Sequence, residues 1–315
     1  MRLSSIWLIF NCCLCCWHLP LQARSEQALQ QAWLDLQQLA SDDMGGRSPG
    51  SAGSVLAQQY LQQRFAQLAL QPFNTDYQHP FALSRSRQGV NIIGVRQGCR
   101  YPELVVVVTA HYDHLAPLRH YIYNGADDNA SGVSALLYLA ALTQDQCPAY
   151  SYVFLATDGE ELGLRGAKAF LAKPPVDRDA IVLNLNLDMV SRGEAKQKIY
   201  AAGKRTLPQL TQWLPLTAGD VSLVLAPERR SLHSAYRRAT DISWDQASDH
   251  AVFRRAGIPF VYIGVGVHRH YHTPDDDWQQ IDPIFFRSAL QLIADIQLRI
   301  DALTPAELLP LRQPK

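Results

Sequence analysis

The stretch LVVVVTAHYDH, residues 104–114, runs from a strand-like core directly into two histidines and an aspartate. Four consecutive valines with no polar alternation suit a strand buried on both faces, inside a mostly parallel sheet covered by helices. The same kind of run recurs as NIIGV (91–95), YVFLA (152–156), IVLNLNL (181–187) and FVYIG (260–264). Helical periodicity over 131–142 and 163–171 supplies crossovers between them. Upstream, helices are expected near 28–39 and 54–70, separated by the glycine- and proline-containing SDDMGGRSPGSAG (41–53). Asp282 stands as N-cap, and Pro283 as first residue, of a C-terminal helix. The expected fold is α/β: a single domain over 24–315 with a mixed, mostly parallel sheet and helices on both faces. Thr217 to Gln246, polar and Arg-rich, fits least well and reads as a lid beside the site or as a solvated surface loop.

Composition narrows the partners. The chain of 315 residues carries 29 basic and 29 acidic side chains, so no electrostatic footprint points to nucleic acid or to an anionic membrane surface. Residues 1–23 read as a signal peptide: one Arg, an apolar core from Ile6 to Trp17, then a Pro-containing exit ending at Ala23. That core is short for a membrane span, so the mature chain is expected to be exported, periplasmic or secreted, with no stable span after signal removal. A retained anchor is the alternative. Lipidation of a cysteine is a further one, although Cys12, Cys13, Cys15 and Cys16 follow Asn, Cys, Leu and Cys rather than the small residue it normally wants. Only Cys99 and Cys147 then remain. If the strands that follow them are parallel neighbours joined by the helix at 131–142, both sit at the amino-terminal sheet edge, within disulfide reach.

In an open α/β sheet, sites form beyond the carboxyl ends of the strands. There the chain places His111, the TDGEE acids Glu160 and Glu161, Asp188, and His272, with Asp127 and Asp128 just ahead of a helix. Two histidines and several carboxylates exceed the needs of one tetrahedral ion and suit two divalent ions sharing a bridging carboxylate. Two Zn2+ are favoured, although cobalt and manganese accept the same donors. Asp113, two residues after His111, is placed in an extended segment to accept the other ring N–H. His114, His120, His268 and His270 read as bystanders. A competing motif, GRSPG (46–50), matches the serine-hydrolase elbow, but it follows a helix rather than a strand. Its Pro49 also lacks the N–H that an oxyanion hole needs.

The ordered set AHYDH, NGADDNASG, TDGEELGLRGA, LNLDMV, SDHAVF and YHTPDD resembles the secreted bacterial leucyl aminopeptidases. These are co-catalytic dizinc exopeptidases whose wider family includes glutaminyl cyclases and transferrin-receptor-like proteins. The resemblance runs from residue 44 to residue 278. It implies that His111 and Asp188 hold one ion, Glu161 and His272 the other, and that Asp128 bridges them. It further implies Glu160 as general base and Tyr271 as a group polarising the carbonyl or stabilising the oxyanion, with an aromatic packing role as the alternative for Tyr271. The implied activity is removal of N-terminal residues from peptides with a free N-terminus. Glutaminyl cyclisation is the enzymatic alternative; cyclases of the family use one zinc and typically carry Trp where this chain has Tyr271. A metal-free binding protein would be expected to lack ligands or the base, and none is missing here.

Overall fold

The structure is a computed structural model and describes residues 21–144, 146–193, 196–227 and 243–311. Its strands are β1 (Gln71–Pro72), β2 (Gln78–Ala82), β3 (Gln88–Arg96), β4 (Tyr101–His111), β5 (Tyr150–Thr157), β6 (Ile181–Leu187), β7 (Lys198–Ala202), β8 (Leu216–Ala218), β9 (Val221–Leu225) and β10 (Phe260–Gly264). Its helices are α1 (Leu21–Leu39), α2 (Ala52–Gln67), α3 (Gly132–Leu142), α4 (Arg165–Ala172), α5 (Leu210–Trp213), α6 (His250–Arg255), α7 (Pro283–Ala302) and α8 (Pro305–Leu308).

All ten strands form one sheet in the order β1-β3-β5-β4-β6-β10-β7-β9-β8, with β2 paired to β3. The centre, β5-β4-β6-β10, is parallel. These are four of the five apolar runs of the sequence; α3 and α4 supply the expected crossovers from β4 to β5 and from β5 to β6, whereas β10 is reached through β7, α5, β8, β9 and α6. Antiparallel pairing enters on both sides, where β3 meets β5 and β7 meets β10. The NIIGV run in β3 is thus a strand of the opposite sense. Strands β1, β2, β7, β8 and β9 are short and partly exposed, and so carried no uninterrupted apolar signal.

The valine run explains why the sheet is covered twice. Val106 and Val108 pack in the large core that includes α1, α2, α3 and α7, whereas Val105 and Val107 pack with Ala167 and Phe170 of α4 and Phe253 of α6. Successive residues of a strand point to opposite faces, so both faces of β4 leave water. Each such burial is worth roughly 1.5–3 kcal/mol.

Strands β4 and β5 are parallel neighbours joined through α3. At their amino-terminal edge Cys99 and Cys147 form a disulfide, with Cα atoms 5.6 Å apart. Asp282 caps α7 as expected, accepting the N–H of Ile284 at 2.9 Å, with Pro283 in the first turn. The segment from Thr217 is only partly irregular. Strands β8 and β9 make an antiparallel hairpin on the sheet edge over its first residues, while residues 228–242, which hold most of the stretch read as a lid or surface loop, lie outside the described residues. Helix α1 begins at Leu21, and residues 1–20 of the proposed leader are likewise outside the described residues. Among the described residues no helix is long and apolar enough to cross a membrane.

Candidate active site

Three of the parallel strands deliver functional groups at their carboxyl ends. His111 is the last residue of β4, Asp188 follows β6, and Glu160 and Glu161 follow β5. Asp128 comes from the irregular turn before α3, and His272 from the loop between β10 and α7.

These groups meet around Asp128. Its Oδ1 lies 3.4 Å from His111 Nε2, which is also 3.4 Å from Asp188 Oδ1. Its Oδ2 lies 3.0 Å from His272 Nε2, which is 3.2 Å from Glu161 Oε1. One carboxylate thus faces two separate imidazole–carboxylate pairs. His272 Nε2 is buried yet makes no well-formed hydrogen bond, so its nitrogen points between two carboxylates without an ordinary partner. Nitrogen and oxygen donors converging in this way fit divalent zinc, and His111, Asp128 and Asp188 together could hold one ion.

Electrostatics follow from the crowding. Burial alone would depress His272, but Asp128 and Glu161 outweigh it and lift the imidazole to about 10. Burial and the Asp128 charge push Glu161 up, yet His114 and His272 prevail and hold it at about 2. Glu160 moves the other way. Burial raises it well above the usual carboxylate range, His111 opposes this, and the charges of Glu161, Asp249 and Asp188 add to the rise. A carboxyl so placed suits proton uptake. Burial and the surrounding carboxylates also raise Tyr271, keeping its phenol protonated, and its ring stacks on His272 at 3.8 Å.

Asp113 has a different job from the expected one. His111 Nδ1 lies 3.1 Å from the main-chain oxygen of Asp113, while the Asp113 carboxylate is 3.8 Å away. Strand β4 ends at His111, so the alternation that put the two side chains on one side no longer holds. The carboxylate instead accepts the N–H groups of Glu160, at 3.0 Å, and Glu161, at 3.3 Å.

Other residues frame the site. His114, read as a bystander, is buried with Nδ1 3.1 Å from Glu161 Oε1 and 3.8 Å from Asp128 Oδ2. The two acids of GADDN divide their labour: Asp127 accepts from Ser191 N and Oγ and pairs with His268 at 3.0 Å, leaving Asp128 for the centre. Asp276 accepts the N–H of both Asp127 and Asp128. Asn129 accepts the N–H of Met189 and donates to Leu187 O, tying the turn to the end of β6. Met189 and His272 both hold left-handed backbone, φ 59° and 56°. That strain costs about 1–3 kcal/mol per residue and persists where surrounding contacts over-determine it. Asp249, of the SDHAVF motif, accepts from Thr157 Oγ1 at the end of β5.

The rejected GRSPG segment has a structural role. Arg47 is fully buried and donates to the carbonyls of Tyr112, Leu39, Asn124 and Gly125. It thereby clamps both ends of the loop between His111 and Asp128. The rings of His120 and Tyr121 meet in that loop at a tilt of 39°, and His270 is only partly buried.

The chain is similar to several known proteins. The Escherichia coli alkaline phosphatase isozyme conversion protein is 26% identical over 270 residues, covering 79% of this chain and 75% of its own length. The Bacillus subtilis aminopeptidase YwaD is 28% identical over 214 residues, covering 64% of this chain and 43% of its own length. The fold also matches the Porphyromonas gingivalis glutaminyl cyclase structure at TM-score 0.63 and 20% identity, covering 85% of this chain and 98% of that one. The profile of peptidase family M28 matches residues 91–297, which contain every residue of the centre described above, and the chain belongs to that family of metal-dependent peptidases.

Proposed function

We propose that this protein is an aminopeptidase that hydrolyses the first peptide bond of substrates with a free N-terminus, using two zinc ions. The observation that carries the reading is the division of Asp128 between His111 and His272, at 3.4 and 3.0 Å. Such a carboxylate suits a bridge. His111 and Asp188 would hold one ion, Glu161 and His272 the other. When bound, the pair of ions lowers the pKa of water and polarises the scissile carbonyl. Glu160 takes the proton from the attacking water and returns it to the amine nitrogen as the C–N bond breaks. Tyr271, held protonated, donates to the carbonyl oxygen as negative charge develops there. Asp113 fixes the backbone of the acid pair. The exposed disulfide fits an exported, periplasmic or secreted protein.

Glutaminyl cyclisation, in which the substrate's own amine attacks its side-chain amide, remains the competing chemistry on this scaffold. The complete five-ligand set and Tyr271 favour hydrolysis. A panel of aminoacyl reporters, assayed beside a glutaminyl peptide, separates the two. Hydrolysis abolished by chelator and restored by zinc, with close to two ions per chain, is the expected result. Full activity after chelation, or ring closure without hydrolysis, overturns it.

A further inference from the structure

From the geometry around Glu161 we infer that His114 is a fourth protein ligand of the second ion, which makes the two metal positions unequal. This inference rests on the two-ion reading proposed above. For zinc–ligand distances of about 2.0–2.1 Å, donors at the corners of a tetrahedron stand roughly 3.3 Å apart. His114 Nδ1 lies 3.1 Å from Glu161 Oε1 and 3.8 Å from Asp128 Oδ2. His272 Nε2 lies 3.2 and 3.0 Å from the same two oxygens. These are four of the six edges of one tetrahedron. His114, Asp128 and Glu161 also form a donor group compact enough to hold an ion.

The ring is held in this pose by the fold. His114 is 1% exposed, and a Cβ on Gly125 would stand 2.6 Å from its Cγ and Cδ2. Gly125, with φ +54°, opens the turn that carries Asp128, so the residue that frees this turn also makes room for the imidazole. His114 Nε2 is buried without a hydrogen-bond partner. The ring therefore meets polar groups through Nδ1, the nitrogen directed at the acids.

The opposite position has three protein donors: Asp128 Oδ1, His111 Nε2 and Asp188 Oδ1. A closed four-residue set is the arrangement of a structural zinc, and a three-residue set with a free place is that of a catalytic one. The ion held by His114 is then the tightly retained partner. The ion held by His111 and Asp188 has the free place for substrate and is the first to be lost.

Zinc affinities of the full-length chain, measured by competition with a graded series of chelators, test this together with the visible spectrum of the cobalt-substituted protein. The wild type should show two affinities. His114→Ala should weaken the tighter one by more than the about 10–100-fold that loss of an outer partner costs, leave the weaker one unchanged, and reduce the four-coordinate cobalt absorption. His114→Asn leaves a ligating oxygen near the Nδ1 position; it should recover part of the affinity, and it carries the test if the alanine variant fails to fold. Unchanged affinities in both variants overturn the inference, as does a loss of affinity with an unaltered cobalt spectrum. A wild type that takes up one ion instead overturns the two-ion reading, and the role of His114 is then read on that ion.

Discussion

Asp113 Oδ1 accepts the backbone N–H of Glu160 at 3.0 Å, so the loop after β4 positions the acids after β5. The neighbouring oxygen takes Glu161 N–H at 3.3 Å. Asp113→Asn replaces one accepting oxygen with an NH2 group that donates and cannot accept. Turnover should fall by about 10–100-fold, as for other supports of metal-site residues, with the thermal transition still cooperative. Steady-state kinetics beside a melting curve check this; unchanged kcat would show that the contact does not position the pair.

Glu160 and Glu161 should separate by phenotype. Glu160→Gln keeps shape but cannot take a proton, so kcat should drop by roughly two to four orders of magnitude with metal content intact. Glu161→Gln should instead lower metal content. Metal analysis of both variants is decisive, and the reverse pattern would exchange the two roles.

Arg47 serves four main-chain carbonyls from a fully buried position. Arg47→Lys keeps the charge but loses the planar fork, leaving some of those oxygens unpaired at about 1–3 kcal/mol each. Denaturant unfolding should show a loss of several kcal/mol. A loss below about 0.5 kcal/mol, the level of an ordinary surface change, would refute the clamp.

His250 sets part of the acid limit of stability. Burial depresses its pKa to about 3, with the bond to Trp244 O opposing and Arg254 and Arg255 adding to the fall. A base whose folded pKa is depressed contributes stability that is present above its unfolded pKa, about 6.5, and is lost as pH falls toward 3. The unfolding free energy of wild type minus that of His250→Gln should shrink between pH 6 and 4, by up to about 1.4 kcal/mol per pH unit. A difference flat across that range would mean that His250 is not buried in its neutral form.

Cys99 and Cys147 are 48 residues apart in the chain and joined. Closing a loop of that size restrains the unfolded chain and contributes about 4 kcal/mol, less any native strain. Denatured, unreduced protein should show no free thiol from this pair. Cys99→Ser with Cys147→Ser should lower stability by a few kcal/mol while leaving the specific activity of the folded fraction unchanged, since both cysteines lie at the amino-terminal sheet edge, opposite His111 and Asp188. Loss of specific activity in folded protein would contradict that separation.

Sequence alone determined the parallel centre of the sheet and the polar residues that converge at its carboxyl edge. Both rest on local signals: valine, isoleucine and leucine runs that only a doubly covered strand can bury, and polar residues at the ends of those runs, where the topology of an open sheet collects them. The disulfide followed from the same pairing of β4 with β5. Tertiary structure alone decided what depends on direction and distance. The short flanking strands owe their pairing to neighbours rather than to their own residues, so the antiparallel edges were not legible. Asp113 turned from His111 to the Glu160–Glu161 backbone because β4 ends at the histidine. His114 and Arg47 carried no periodic or spacing signal. Their places are set by contacts with Glu161, 47 residues away, and with Asn124 and Gly125, 77 and 78 residues away, and such closeness exists only once the chain has folded.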